Sequence, residues 1–441
     1  MPSYKSLVDK QRTYFKSGAT RSLEKRKHAL NQLKAMIEED GEELANAIFQ
    51  DLHRDGHMEV GMTARAIDEC LQKLEEWSAP TKLPSGGLLD PNSDQLYIVR
   101  EPVGVVLIIS PWNFPLITSV PLVQALAAGN TVILKPSELA QHTAEAFERV
   151  VKKRFNEELF AVVNGAVQET TDLLSERFDH IVYTGNPAVA KVIMSAAAKH
   201  LTPVTLELGG KNPTVILDDA DVELAAEKIV GAKMMNCGQI CINPDYVLTT
   251  SNTKPKLISA IREAFEKQGE LRDNAAFARI INERHFDRLK ALASKTNGKL
   301  AWKADGEEDR IGKFLPPSVY EIEADDELMK DEIFGPILPI ITVDGIDQAL
   351  HFIQEREKPL AAYIFSKCPE ATRRFITETW SGGVCVNDLQ THAFVSNVPF
   401  GGVGNSGVGR INGKYSFDNF THEKTVLIRG GVGKEIPLNK L

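Results

Sequence analysis

From residue 101 onward, short and almost continuous apolar runs alternate with stretches of helical periodicity, and this alternation constrains the fold more than any other feature. The runs fall at 104–110, 131–135, 160–164, 181–184 and 204–208. A strand that is apolar on both faces belongs to a parallel sheet covered by helices. Helical stretches lie between the runs at 116–128, 138–155, 169–177 and 187–200. The last of these has clear end signals. Asn186 suits an N-cap, Pro187 the first helical position, and Lys199 with His200 the negative C-terminal end of the dipole. The expectation is an α/β fold with a doubly wound parallel sheet.

A second α/β series follows at 214–217, 246–250, 337–343, 361–365 and 384–387, again with helices between. Residues 269–312 are polar and poorly patterned and receive no assignment. Ahead of the first series, 23–51 and 64–77 read as helices, and the Pro and Gly residues between Pro80 and Pro91 break that pattern. Residues 82–94 are therefore a loop or the start of a new element. The C-terminal stretch is Gly-rich and then strand-like at 424–429, which suits an edge strand or an arm that pairs with another subunit.

Composition removes several function classes. The 51 basic against 60 acidic residues give a net charge of -9. Nucleic-acid binding needs a basic face to displace phosphate counterions, so none is expected. Apolar stretches such as 103–109 fall well short of the ~20 residues of a spanning helix, and the N-terminus lacks a secretory apolar core. No membrane anchor is expected. The five cysteines, Cys70, Cys237, Cys241, Cys368 and Cys385, suggest neither a disulfide framework nor metal-ligand spacing. A reducing, cytoplasmic setting without a metal is the expectation.

Four segments hold residues that packing alone would not choose. In 236–245 (NCGQICINPD), Cys241 stands where a helical stretch gives way to loop. A free thiol near pKa 8.5 is little ionised at neutral pH, so a nucleophilic Cys241 needs an electropositive or hydrogen-bonding setting. Otherwise it is a small buried hydrophobe, as Cys237 is expected to be. In 205–211 (TLELGGK), Glu207 ends an apolar strand and precedes two glycines. It reads as a general base raised by an apolar wall, or as a carboxylate pinned by the turn amides or by Lys211. In 110–115 (SPWNFP), Asn113 sits between two prolines at a strand end, as a pre-aimed oxyanion donor or a turn residue. In 131–138 (TVILKPSE), Lys135 and Glu138 share a loop, either to hold a nucleotide ribose or as a surface salt bridge. A G-x-G-x-x-G turn is absent, with 184–190 offering only Gly185.

Taken in order, PWNFP, KPSE, YTGN, LELGGK, GQICINPD, EIFGPILP and PFGGVGNSG resemble the aldehyde dehydrogenase superfamily, across residues 23–425. The wording of 183–191, 200–211 and 398–409 most resembles its class 3 branch, which handles fatty and aromatic aldehydes. The resemblance implies a doubly wound cofactor domain (1–80 and 99–207), a second α/β catalytic domain (208–405), and a small β arm for oligomerisation (81–98 and 406–441). It makes Cys241 the nucleophile and Glu207 the base, and Asn113 with the Cys241 amide the oxyanion hole. NAD, or NADP, would be held by Trp112, Lys135, Glu138, Gly185, Glu332 and Phe334. Phe114, Met234, Ile240 and Phe400 would line the pocket for the aldehyde, together with Met235 and Phe394.

The implied reaction is aldehyde oxidation to a carboxylic acid through a cysteine thiohemiacetal and thioester, by a homodimer. Acyl transfer to coenzyme A and non-redox ester hydrolysis are the alternatives. Three departures stand out: Ala190 at a frequent glycine, Asn243 at a usual small apolar residue, and Gly231 where some members carry a bulky aromatic. His392 is expected to be a pocket-wall or packing histidine.

Overall fold

The computed structural model describes residues 4–430 apart from 275 and 397. Three helices open the chain: α1 (Lys5–Lys16), α2 (Leu23–Leu52) and α3 (His57–Ser78). Two strands follow, β1 (Thr81–Leu83) and β2 (Gln95–Pro102). The first α/β series then runs β3 (Val105–Ile109), α4 (Pro121–Ala128), β4 (Thr131–Lys135), α5 (Gln141–Arg154), β5 (Phe160–Val162), α6 (Val167–Leu174), β6 (His180–Gly185), α7 (Pro187–Ala198) and β7 (Val204–Leu208). The second comprises β8 (Pro213–Ile216), α8 (Val222–Met234), β9 (Tyr246–Thr249), α9 (Lys254–Glu266), α10 (Glu283–Lys295), β10 (Lys299–Lys303), β11 (Ser318–Ile322), β12 (Ile337–Thr342), α11 (Ile346–Gln354), β13 (Ala361–Phe365), α12 (Pro369–Glu378) and β14 (Gly383–Val386). The short β15 (Gly407–Val408), α13 (Gly413–Asn419) and β16 (Thr421–Ile428) complete it.

The expected doubly wound sheet is present. Its order is β15-β7-β6-β3-β4-β5, parallel except for β15. The winding reverses between β3 and β6, and such a switch point is where open α/β sheets bind ligands, at the strands' carboxyl ends. The second sheet has order β10-β11-β12-β9-β8-β13-β14, with β10 alone antiparallel. The loops leading into β8, β9 and β12 enter this sheet at its amino ends. β7 is joined to β8 by only four residues, 209–212, and the end of the first sheet meets the loop leading into β12, where Gly209 packs against Glu332.

Strands buried on both faces matched their apolar runs closely, and β4, β7 and β13 have the expected limits. Helix starts shifted more. The expected 116–128 helix begins at Pro121 after a short 3-10 turn, because Glu59 takes up the Leu116 and Ile117 amides at 2.9 and 3.0 Å. The expected cap at Asn186 is made: its Oδ1 accepts the Val189 N–H at 3.0 Å. The unassigned stretch 269–312 holds α10 and the edge strand β10. The strand-like tail is β16, which pairs with β2 of its own chain to form the edge of the sheet β1-β2-β16. Residues 431–441 of the proposed arm lie outside the described residues.

Candidate active site

The nucleophile loop is built on unusual backbone. After α8 ends at Met234, Asn236, Cys237 and Gly238 all take positive φ, at 51°, 55° and 72°. Left-handed backbone at two successive non-glycine residues costs roughly 1–2 kcal/mol each. Buried side chains hold it. Asn236 Oδ1 accepts from Arg54 Nε at 2.9 Å, Gln239 Nε2 returns to the Asn236 carbonyl at 2.9 Å, and Asn243 Nδ2 donates to the Gly238 carbonyl at 2.8 Å. Downstream, Asn212 Nδ2 donates to the Cys241 and Asn243 carbonyls at 2.8 and 2.9 Å. Asn243, a departure from the family pattern, thus clamps the loop. Gly238 has a further reason to be glycine: a Cβ there would lie 2.4 Å from the Gly335 carbonyl oxygen.

Asn113 joins this network from the first sheet. Its Nδ2 donates to the Gln239 carbonyl at 3.0 Å, two residues before Cys241, and its own carbonyl accepts from Arg54 and Asn236, each at 3.0 Å. Arg54 forms a buried ion pair with Glu59 and stacks on Phe114 at 4.6 Å. Phe114 is therefore a buried support of the 113–117 turn.

Cys241 feels both Glu332 and Glu207. Burial pushes the Cys241 thiol up to about 12, Glu332 and then Glu207 push the same way, and the backbone N–H groups of Cys241 and Ile242 oppose them. Glu207, 2% exposed at the end of β7, has neither carboxylate oxygen hydrogen-bonded among the described residues. Its pKa is driven well above the carboxylate range by desolvation alone. The pinned reading of Glu207 fails: Lys211 is engaged with Asp245 and the Leu328 and Asp331 carbonyls. The turn amide of Gly210 goes instead to Glu332, whose pKa burial and then Asp245 raise to about 8. The Glu332 carboxylate packs on Gly209, where a Cβ would be 2.2 Å from Oε2. Phe334, at φ 52°, meets Trp112 edge-on at 5.4 Å, and His285 lies 5.4 Å from the same indole.

The carboxyl ends of β3, β4 and β6 carry the groups a dinucleotide would need. Lys135 is buried, with Nζ on the Pro136 carbonyl at 2.8 Å and on Glu138 at 3.3 Å, so it is not a surface cation. Glu138 is half exposed. Ser110, at the end of β3, keeps a buried hydroxyl with no partner among the described residues. Gly185 ends β6 under the Tyr183 hydroxyl, which accepts the Asn186 N–H at 3.0 Å, and α7 opens two residues later. These residues fit a dinucleotide.

Ile240 and Met234 are buried, and Met234 borders a cavity of about 290 Å³ with Gly231, Val230, Ala264, Glu227 and Lys267. Neither Cys241 nor Glu207 lines it. Phe400 packs beside His392 at 6.2 Å, and His392 Nδ1 lies 3.0 Å from the Cys385 sulfur. Phe394 is exposed, and Cys237 is fully buried, as expected of a packing residue. Sequence reasoning missed Arg54, Glu59, Asn212, Asn236 and Gln239. Their work is on backbone far away in sequence, and no local pattern marks it.

The profile of the Aldehyde dehydrogenase family matches residues 3–426. Among curated proteins, "Aldehyde dehydrogenase family 3 member A2" of Mus musculus is 44% identical over 439 residues, covering 98% of this chain and 89% of that one. "Aldehyde dehydrogenase, dimeric NADP-preferring" of Canis lupus familiaris is 41% identical over 437 residues, covering 97% and 95%. Among solved structures, the substrate-bound AldH of Staphylococcus aureus superposes with a TM-score of 0.94 at 34% identity, covering 99% and 96%. The NAD-dependent aldehyde dehydrogenase of Sinorhizobium meliloti gives 0.87 at 25% identity, covering 98% and 88%.

Proposed function

The chain belongs to the aldehyde dehydrogenase family, and from that premise we propose that it oxidises medium- or long-chain aliphatic or aromatic aldehydes to carboxylic acids with NAD or NADP. One observation carries the reading: Glu207 is a buried carboxyl with no hydrogen-bond partner among the described residues, close enough to Cys241 to raise its pKa. A carboxyl kept free beside a thiol is placed to take a proton from water. This favours hydrolysis over acyl transfer to coenzyme A.

The chemistry follows from the residues. The Cys241 sulfur adds to the aldehyde carbon, helped to ionise by its own amide and that of Ile242. Asn113 spends one amide hydrogen on Gln239 and keeps the other for the developing oxyanion, where one such donor is worth ~3–4 kcal/mol. Bound nicotinamide supplies the hydride acceptor. The thioester left on Cys241 is cleaved by water whose proton passes to Glu207. Lys135 and Glu138 would hold the adenosine side, and Glu332 and Phe334 the nicotinamide side. Ile240 and Phe400 present apolar wall to the aldehyde tail. The dimer proposed for this chain is supported by the Canis relative's name, and among the described residues no strand pairs with the outer edge of β16.

The test is aldehyde-dependent reduction of NAD and NADP across a chain-length series. Wild-type protein should turn over best on the longer and aromatic aldehydes. Cys241→Ser should lose roughly a thousandfold or more. A serine variant as active as wild type would move the nucleophile elsewhere.

A further inference from the structure

Helix α8 carries a lysine on its apolar stripe. Ile229, Val230 and Met234 on that helix are core residues, and Lys233 among them is 1% exposed. Among the described residues no carboxylate pairs with it. Its Nζ donates instead to two backbone carbonyls, of Ile337 at 3.1 Å and Gly335 at 3.4 Å. Removing an ammonium from water is expensive. Burial accordingly pushes its pKa down to about 8, with Asp245 and Cys237 opposing the shift and Lys211 adding to it. A methionine would fill the same space without that cost.

The reason lies in what the two carbonyls belong to. Both stand at the entrance to β12, directly after Glu332 and Phe334. β11 pairs with β12 from Ile337 and its Ser318 N–H donates to the Pro336 carbonyl at 3.1 Å, whereas β9 joins only from Ile340, so the Gly335 and Ile337 carbonyls are left to Lys233. The Gly335 carbonyl also abuts Gly238, where a Cβ would be 2.4 Å away. Lys233 therefore ties its own helix to the stretch just past Glu332 and Phe334, whose other end is held by Arg288 on the Glu332 and Ile333 carbonyls and by Asp245 on the Ile333 N–H.

We propose that Lys233 is a positioning residue that holds the Glu332–Phe334 segment against the nucleophile loop and so sets the nicotinamide-side wall. It touches no reacting group, and the proposal rests on the dehydrogenase reading of that wall. The same protein should hydrolyse activated esters through Cys241 without any nicotinamide, which separates wall from nucleophile.

Lys233→Met keeps the volume and removes the donors; Lys233→Gln returns amide donors without the charge. In Lys233→Met the KM for NAD should rise about tenfold or more, as when a buried carbonyl loses its donor. Ester hydrolysis should stay within about twofold of wild type, and Lys233→Gln should fall between the two on NAD. Should the Met variant not fold, the Gln variant decides alone, read also by fluorescence titration of NAD. An unchanged NAD KM, or equal loss of dehydrogenase and ester hydrolysis, overturns the proposal. Wild-type protein that hydrolyses esters but never reduces NAD or NADP would instead sink the dehydrogenase reading.

Discussion

At the scale of single residues the site is a thiol whose ionisation is opposed by two buried carboxyls, Glu332 and Glu207. The thiol of Cys241 is raised first by burial, then by Glu332 and by Glu207. Glu332, with a pKa of about 8, is largely neutral at pH 6 and largely ionised at pH 9. Its negative charge then works against the thiolate. Glu332→Gln removes that charge, so the thiol pKa should fall, and alkylation of Cys241 by iodoacetamide should be several-fold faster than in wild type at about pH 9. At about pH 6, where Glu332 is already neutral, the two proteins should react alike. Equal rates at the alkaline end would mean that Glu332 does not face the sulfur.

At the scale of elements, what matters is how loops are held against helices and strands. The Arg54–Glu59 pair, between α2 and α3, supports the 113–117 turn through the Asn113 carbonyl and the Leu116 and Ile117 amides. Breaking a buried pair from one side leaves an uncompensated charge. Glu59→Gln should therefore cost ~3–5 kcal/mol in denaturant unfolding and lower kcat with it; a loss under ~1 kcal/mol would show that the turn stands without the pair.

The sequence made the strands legible because parallel strands buried on both faces are continuous apolar runs, as at 131–135 and 361–365. It made α10 and β10 illegible for the opposite reason. Only Phe286 and Leu289 of α10 are buried, and β10 is a half-exposed edge strand. At the site, Cys241, Glu207 and Asn113 stood out because their types and neighbours were chemically odd. Arg54 did not, since its partner Asn236 lies 182 residues away and nothing near position 54 announces the contact. Lys233 was legible in principle, as a charge on an apolar helical stripe.

At the scale of the whole molecule, the candidate site draws on the carboxyl ends of one sheet and the amino-end loops of the other. Lys135, Glu138 and Gly185 come from the first sheet, whereas Glu332 and Phe334 precede β12 of the second. A cofactor held by residues of both sheets would tie them together and bind only the folded chain. At NAD concentrations near 100 times Kd the folded state should gain ~2.7 kcal/mol, which appears as a rise of a few degrees in Tm for the whole chain. If NAD shifted only part of a biphasic transition, its contacts would be confined to one sheet.

The central claim is that Cys241 carries the substrate covalently and that Glu207 frees it. The most direct measurement is mass spectrometry of the Glu207→Gln variant, quenched shortly after mixing with NAD and a long-chain aldehyde. The peptide containing Cys241 should gain the mass of the acyl group, while wild-type protein, which clears its thioester, shows little. An unmodified Cys241 peptide, or a variant that turns over as fast as wild type, would contradict the account.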